Sequence, residues 1–268
     1  MFLITILKMK LFNLLFLLLF VSTSSFASII ILNGLTHTHE VINGNLITGK
    51  IQVQNNGPKE TKILIYSEDL IVSCDKQVDY TKINSHSRSL GQWISMNVQE
   101  KIIQSNEVYE VIYSISMPND AKFSGSYWSA VKIEGVDPIK EDIDKGVKID
   151  SKIRYALQII ANVGSIETSK ISFENIGFTK RDSTTQQLKV KLKNNGIFSS
   201  STKLSIEIYN NSGKQLKTIE SALRRIYPEK CNEFEILIKD LPKGTYNGVL
   251  IADNGKDLYG ANITLEIN

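Results

Sequence analysis

The sequence predicts an all-β protein built from two tandem β-sandwich domains. Three observations support this fold class. Apolar and polar residues alternate through much of the chain, as expected for strands with one face on a core and one in water. Gly, Asn, Asp and Pro separate these runs, and one strand–turn–strand pattern occurs twice. No stretch shows the apolar period of a long amphipathic helix.

The N-terminal residues have the features of a secretory signal peptide. Lys8 and Lys10 precede the apolar run LFNLLFLLLF, and the small-residue segment SFA ends at Ala27. A positive region, a short apolar core and a small-x-small site are the three parts of such a peptide. We therefore predict that residues 1–27 are removed on export. No later apolar run has membrane length, so we expect no transmembrane segment in the mature chain.

The alternating runs define the predicted strands. Each places three or more apolar side chains on one face and polar side chains on the other. The clearest runs are ITGKIQV (47–53), VYEVIYSIS (108–116), LKVKL (188–192), LSIEI (204–208), FEILI (234–238) and ANITLEI (261–267). Strands with one solvent-exposed face, about seven in each half of the chain, are typical of immunoglobulin-like sandwiches.

One pattern appears in both halves of the chain. QVQNNGPKETKILIY (52–66) and KLKNNGIFSSSTKLSIEIY (191–209) each contain a strand, Asn-Asn-Gly, a polar link and a second strand that ends in tyrosine. We expect Gly57 and Gly196 to give the turns their backbone freedom. Gly164 and the polar residues after it interrupt a long apolar alternation. The predicted domains are therefore residues 28–164 and 165–268.

The stretch GSYWSAVKIEG (125–135) is a strand with two unlike faces. Tyr127 begins a face that suits a core, while Trp128 shares the other face with Lys132 and Glu134. The charged residues indicate that the second face meets water. Trp128 either packs against a neighbouring strand, a loop or the second domain, or it is an exposed aromatic that stacks on a sugar or anchors a protein partner. Tyr127 and Trp128 are our first candidate binding residues.

A second candidate surface lies on the unusually long alternating run VKIDSKIRYALQIIANV (147–163). Typical strands have about 5–6 residues. The run is either the last strand of the first domain, bent near Ser151, or an edge strand that lends its apolar side chains to a partner by β-augmentation. The candidate binding residues on it are Ile153, Arg154, Tyr155, Leu157 and Ile159.

The remaining polar residues give no catalytic or metal centre. His37 and His39 could offer two ligands from one strand face, but no third ligand is evident, and we interpret HTHE as a polar loop. Cys74 has no visible base, and no carboxylates form a recognisable pair. We therefore predict a non-enzymatic protein with no catalytic residue, no metal and no cofactor. Cys74 and Cys231 are interpreted as isolated small residues, with a disulfide between them as the alternative.

Charge excludes one class of partner. The chain has 31 Lys and Arg against 28 Asp and Glu, a formal net charge of +3, and the two signs are interspersed. Nucleic-acid binding requires a basic patch or stripe, which is absent from the sequence. We therefore expect no nucleic-acid partner.

The segments IQSNEVYEVIYSISMPNDAKFSGSYWSAVKIEG (102–135) and IRYALQIIANVG (153–164) carry a resemblance. The chain resembles secreted two-domain proteins of Bacteroidota and, more distantly, the WxL-interacting surface proteins of Gram-positive bacteria. Those proteins pair a peptidoglycan-binding immunoglobulin-like domain with a second sandwich, and this chain lacks their C-terminal anchor. It also resembles the periplasmic pilus chaperones, in which the last strand of the first domain completes the fold of a subunit. Arg154 is the one candidate here for the basic residues that grip that subunit.

These observations predict a secreted, non-enzymatic binding protein of a bacterial envelope, located in the periplasm or at the cell surface. The first domain would bind cell-wall polymer or an envelope or surface protein. The alternative is a pilus-chaperone-like assembly factor that acts by β-strand augmentation.

Overall fold

The computed structural model describes residues 29–74, 78–120, 122–136, 139–143, 147–165, 170–182 and 184–267, and the predicted signal peptide lies outside these ranges. Regular structure in them is entirely strand, so they contain no helix long enough to cross a membrane. The strands are β1 (Ile29–Ile31), β2 (Thr36–Val41), β3 (Leu46–Asn55), β4 (Thr61–Ile71), β5 (Asp79–Thr81), β6 (Ile94–Met96), β7 (Glu100–Ile103), β8 (Val108–Ser116), β9 (Gly125–Gly135), β10 (Ile139–Ile143), β11 (Val147–Ser151), β12 (Arg154–Val163), β13 (Ile171–Lys180), β14 (Thr185–Asn194), β15 (Ser200–Tyr209), β16 (Gln215–Glu220), β17 (Arg224–Ile226), β18 (Cys231–Lys239), β19 (Gly244–Asp253) and β20 (Leu258–Ile267).

The first sandwich packs two sheets face to face. One sheet has the order β1-β3-β8-β6, and the other has the order β2-β12-β9-β4, with β7 and β5 on successive parts of β4. Strand β2 runs parallel to β12, whereas the other pairings are antiparallel. Inward side chains from both sheets form one core, which includes Val53, Ile65, Val111, Val131 and Leu157. Strands β10 and β11 form a separate hairpin between β9 and β12.

The second sandwich repeats the architecture with fewer strands. Its sheets are β13-β14-β18 and β16-β15-β19-β20, with β17 also paired to β15. Val190 packs with Leu204 and Phe234 in a second core that is separate from the first. Tyr246 donates a hydrogen bond of 2.9 Å to the Pro242 carbonyl, as in the tyrosine corner of immunoglobulin-like sandwiches. The protein is therefore all-β with two immunoglobulin-like sandwiches, as predicted. The boundary at residues 164 and 165 remains a prediction.

The repeated Asn-Asn-Gly pattern forms the same turn in both sandwiches. In the first, the Asn55 side chain donates to the carbonyls of Lys59 (2.6 Å) and Ile103 (3.0 Å) and accepts from the Gly57 N–H (2.9 Å). In the second, Asn194 donates to Phe198 (2.7 Å) and Ile226 (3.1 Å) and accepts from Gly196 (2.9 Å). Each asparagine is fully buried.

The glycines in these turns do not have the role that we predicted. Neither Gly57 nor Gly196 has a positive φ. Left-handed backbone occurs instead at Asn106 and Glu229, both with a φ of 62°, and their N–H groups donate to the carbonyls of Asn55 and Asn194 respectively. The two turns are thus held by a buried asparagine and a left-handed residue from another loop, because these supply the hydrogen bonds that the turn backbone needs.

Candidate functional site

Strand β12 has an outer edge that is only partly covered. Residues Gln158–Val163 pair with β2, and the Gln158 N–H donates to the Leu35 carbonyl (2.9 Å). On the opposite side, the Ile153 carbonyl accepts from Gly135 (3.1 Å). Because backbone groups alternate in direction along a strand, the N–H and C=O of Arg154 and Ala156 point away from β9. No strand of the described part of the chain pairs with them there.

The uncovered edge continues beyond β12. Strand β11 pairs with β10 on one side, and the described ranges contain no strand on its other side. Residues 147–157 therefore present an edge that is interrupted at 152–153, between the two strands. Long exposed edges are ready templates for pairing with another chain, and most proteins cover or interrupt them. Where we predicted a bend near Ser151, the structure ends β11 at Ser151 and begins β12 at Arg154.

Exposed apolar side chains flank this edge. Leu32 and Leu35, in the link between β1 and β2, are 47% and 49% exposed. Ile153 and Tyr155 are half-buried, and the Tyr155 hydroxyl donates to the Ile29 carbonyl (2.7 Å). Sequence reasoning missed the two leucines, because the parallel pairing of β2 with β12 brings them to the edge and no local pattern indicates that pairing.

The other two candidate residues of this run do not reach the surface. Leu157 and Ile159 are fully buried in the core of the first sandwich. Their side chains lie on the same face of β12 as Tyr155, but the opposite sheet covers this later part of the strand. In the free protein they pack in the core beneath the edge, so a partner cannot contact them. Arg154, by contrast, is exposed and forms an ion pair of 2.8 Å with Glu134.

Strand β9 is buried on both faces, contrary to the prediction that its charged face meets water. All of its residues are buried. Lys132 lies 3.1 Å from the centre of the Tyr80 ring and 3.3 Å from the Glu68 carboxylate. Glu134 accepts hydrogen bonds from Arg154 and from the Tyr66 hydroxyl (3.1 Å). These partners compensate the cost of removing both charges from water, so charge alone misidentified the face.

Tyr127 is also a core residue. It is 7% exposed, and its ring packs edge-on against the rings of Trp93 (5.2 Å between centroids) and Phe123 (6.0 Å). The guanidinium carbon of Arg88 lies 5.7 Å from its ring centre. Such edge-to-face clusters stabilise a core, and this one closes the end of the first sandwich nearest Gly125. Tyr127 is therefore not available as a surface aromatic.

Trp128 joins the two sandwiches. It is 2% exposed, and its indole N–H donates to the Leu70 carbonyl (2.9 Å). Its ring lies between His86 (4.7 Å between centroids) and Tyr227 of the second sandwich (4.5 Å). Trp128, Leu70 and Tyr227 form a third apolar cluster with Ile160. Trp128 therefore packs against the second domain, the first of the two interpretations offered by the sequence.

The loop that carries His86 is fixed by a buried carboxylate. Asp69 accepts hydrogen bonds from the hydroxyls of Ser89 and Ser129 (2.7 Å each) and from the Ser85 N–H (2.7 Å). His86 Nε2 is 3.9 Å from this carboxylate, and burial lowers the His86 pKa more than Asp69 raises it. Neither serine donates to the histidine, so the group lacks the nucleophile–base contact of a hydrolase. Its role is to hold the loop beneath Trp128.

Polar contacts and a disulfide complete the seam between the sandwiches. The Tyr227 hydroxyl donates to Gln158 Oε1 (2.7 Å), and the Ser199 N–H donates to the Ser126 hydroxyl (2.7 Å). Cys74 and Cys231 form a disulfide with a Cα–Cα distance of 4.5 Å. The favoured interpretation of two isolated cysteines was therefore wrong, because folding brings residues from different sandwiches together across the seam.

The two sandwiches approach each other closely at Gly125. Its φ is +94°, and an added Cβ would lie 2.3 Å from the Ile197 carbonyl oxygen of the second sandwich. We expect Gly125→Ala to lower the free energy of unfolding by about 2–3 kcal/mol through backbone strain and this clash. Gly164→Ala is the matched control, because Gly164 has a φ of +87° but only an ordinary contact of 3.5 Å. Urea unfolding of both variants checks the difference, and equal losses would contradict it.

The chain has structural neighbours among known proteins but no match by family model or curated sequence. The solved class 5 fimbriae chaperone CfaA matches with a TM-score of 0.46 at 16% identity, over 90% of this chain and 99% of that one. The CsuC–CsuE chaperone–tip adhesion subunit complex of Acinetobacter baumannii matches with a TM-score of 0.46 at 11% identity, over 88% of this chain and 98% of that one. The E. coli chaperone DraB matches with a TM-score of 0.42 at 10% identity, over 90% of this chain and 98% of that one.

These neighbours agree with the predicted resemblance to pilus chaperones. They give no support to the resemblance to WxL-interacting proteins or to a cell-wall polymer as ligand.

Proposed function

We propose that this protein binds an extended segment of another exported protein along the uncovered edge formed by residues 147–157. The observation that carries the proposal is the outward direction of the Arg154 and Ala156 backbone groups, just before β2 covers β12 at Gln158. An added strand would bond to these groups, and main-chain hydrogen bonds supply affinity in this mode of recognition. Leu32 and Leu35 would contact its apolar side chains.

The seam supports the same proposal. The disulfide, the Trp128–Tyr227 contact and the hydrogen bonds at Ser126 and Gln158 connect the second sandwich to the strands behind the edge. A preorganised edge loses less conformational entropy on binding than a mobile one. The proposed activity is therefore that of an assembly chaperone, which protects a surface subunit with an incomplete sheet until assembly. The proposed location is the periplasm, following the predicted signal peptide.

A photo-cross-linking side chain in place of Arg154 tests the proposal in the native host. We expect a discrete cross-linked product whose second component, identified by mass spectrometry, is an exported protein. The same side chain in place of Thr218, exposed on β16 of the second sandwich, is the matched control and should not give that product. The same product from both positions, or none from Arg154, would contradict the proposal.

A proline at the edge adds a second measurement. Ala156→Pro removes an outward N–H, and proline is tolerated on strand edges whose N–H faces away from the sheet. We expect this variant to remain folded and to lose most of the cross-linked product formed from position 154. Ala156→Val keeps the N–H and should retain the product. Equal yields from the two variants would show that the partner does not pair with this backbone.

A further inference from the structure

Two imidazoles and a phenol converge between β2 and the opposite sheet of the first sandwich. His37 and His39 alternate along β2, so both side chains lie on the face toward the opposite sheet. Tyr113 of β8 reaches them from that sheet. Its hydroxyl is 3.0 Å from His37 Nδ1 and 2.7 Å from His39 Nε2.

The position of the phenol depends on Gly49. Strands β3 and β8 pair Gly49 with Tyr113, and a Cβ on Gly49 would lie 2.2 Å from Cζ of the tyrosine ring. The absence of a side chain at Gly49 therefore lets the ring lie across β3 and carry its hydroxyl to β2. The ring is 1% exposed, and burial raises the Tyr113 pKa. The hydroxyl therefore stays neutral in the free protein.

The hydrogen bonds indicate which ring nitrogens carry protons in the free protein. His37 Nε2 is 3.2 Å from the Asn33 carbonyl, which only accepts, so Nε2 carries the proton and Nδ1 is bare. Metal-binding histidines commonly donate their other ring N–H to a backbone carbonyl in this way, because it fixes the ring orientation. Since the phenol donates its one proton to the bare His37 Nδ1, His39 Nε2 donates its own N–H to the phenolic oxygen, and a metal ion bound at His39 Nε2 would replace that proton.

We propose that His37 Nδ1, His39 Nε2 and the Tyr113 hydroxyl oxygen bind one divalent transition-metal ion, Zn²⁺ or Cu²⁺. Tetrahedral zinc with ligand distances near 2.1 Å separates its donors by about 3.4 Å. The two histidine–tyrosine donor pairs, at 3.0 and 2.7 Å, would need to open by roughly 0.4 and 0.7 Å, and the fourth position would hold water. The described residues contain no group of three or more His, Cys, Asp and Glu suited to a metal, and in this site the phenol supplies the third donor.

The ion would also affect the proposed binding edge. His37 and His39 lie opposite Ile159 and Ala161 in the β2–β12 register, so a metal bridge from β2 to β8 would hold the covering strand in place. The metal proposal does not depend on the proposed function, since its test measures the ion directly.

Calorimetric titration of the tag-free mature protein with ZnCl₂, and separately with CuSO₄, tests the site. We expect one ion per chain, with copper bound more tightly than zinc, as imidazole sites generally show. His37→Ala and His39→Ala should each weaken binding by about tenfold or more, and Tyr113→Phe should weaken it less. Each ion should also raise the Tm of the wild type more than that of the histidine variants.

His86→Gln is the matched control, because His86 lies at the seam and its removal should leave the affinity unchanged. Circular dichroism of every variant shows whether it is folded. Absence of stoichiometric binding in the wild type, or undiminished binding by folded His37→Ala and His39→Ala proteins, would overturn the proposal. In that case the three side chains form only a hydrogen-bonded group.

Discussion

The Trp128→Ala substitution is expected to lower the free energy of unfolding by about 3–5 kcal/mol, the range for removing a large buried aromatic side chain. The indole is 2% exposed and lies between the rings of His86 and Tyr227. Its loss leaves a cavity between the two sandwiches and an unpaired carbonyl at Leu70. Urea unfolding, extrapolated to water, measures the loss.

Trp128→Phe separates the two contributions. It keeps an aromatic ring in the cluster but removes the N–H that bonds to Leu70. We expect a smaller loss of about 1–3 kcal/mol, because one buried carbonyl remains unsatisfied and the ring is smaller. A loss below about 1 kcal/mol for Trp128→Ala would mean that the indole is a surface group. That result would revive the interpretation of Trp128 as a ligand-stacking residue.

The Asn194→Ala substitution is expected to have an effect of similar size, about 3–5 kcal/mol, on the second sandwich. It removes three side-chain hydrogen bonds and leaves the Phe198 and Ile226 carbonyls and the Gly196 N–H without their partner. Each buried group left unsatisfied costs about 1–3 kcal/mol, and these costs are only partly additive. Equilibrium unfolding measures the total, and hydrogen exchange identifies the sandwich that is destabilised.

Asn195→Ala is the matched control for this prediction. Asn195 is the next residue of the same Asn-Asn-Gly pattern, but it is exposed and bonds to the Ser172 hydroxyl at the surface. We expect its replacement to change stability by no more than about 0.5 kcal/mol. Asn55→Ala should reproduce the Asn194→Ala effect in the first sandwich. Equal, small effects at 194 and 195 would contradict the role given to the buried asparagine.

Strand periodicity predicted the fold well. The run 125–135 coincides with β9, and 108–116 coincides with β8. Period-two patterns are local, so a single sequence carries them. The duplicated Asn-Asn-Gly pattern also identified a true structural repeat. It misidentified the residue that matters, however, because the buried asparagine bonds to strands distant in sequence and the glycines adopt ordinary backbone.

The candidate site was less accessible to sequence reasoning. Alternation placed Leu157 and Ile159 on one face with Ile153 and Tyr155, but it could not show where along that face the core ends. The burial of Trp128 depends on Tyr227, which belongs to the other sandwich. The disulfide likewise joins cysteines 157 residues apart. Contacts of this kind depend on how the two sandwiches pack against each other, which no local sequence pattern predicts.

The Cys74–Cys231 bridge has a consequence for biosynthesis. Its two sulfurs lie 157 residues apart in segments made early and late during translation, so it can close only after the later segment has been synthesised and exported. Thiol oxidation occurs outside the reducing cytoplasm. Closure of this bond would therefore be a final step of maturation, and a gel-shift assay of free thiols would distinguish freshly translocated chains from finished molecules.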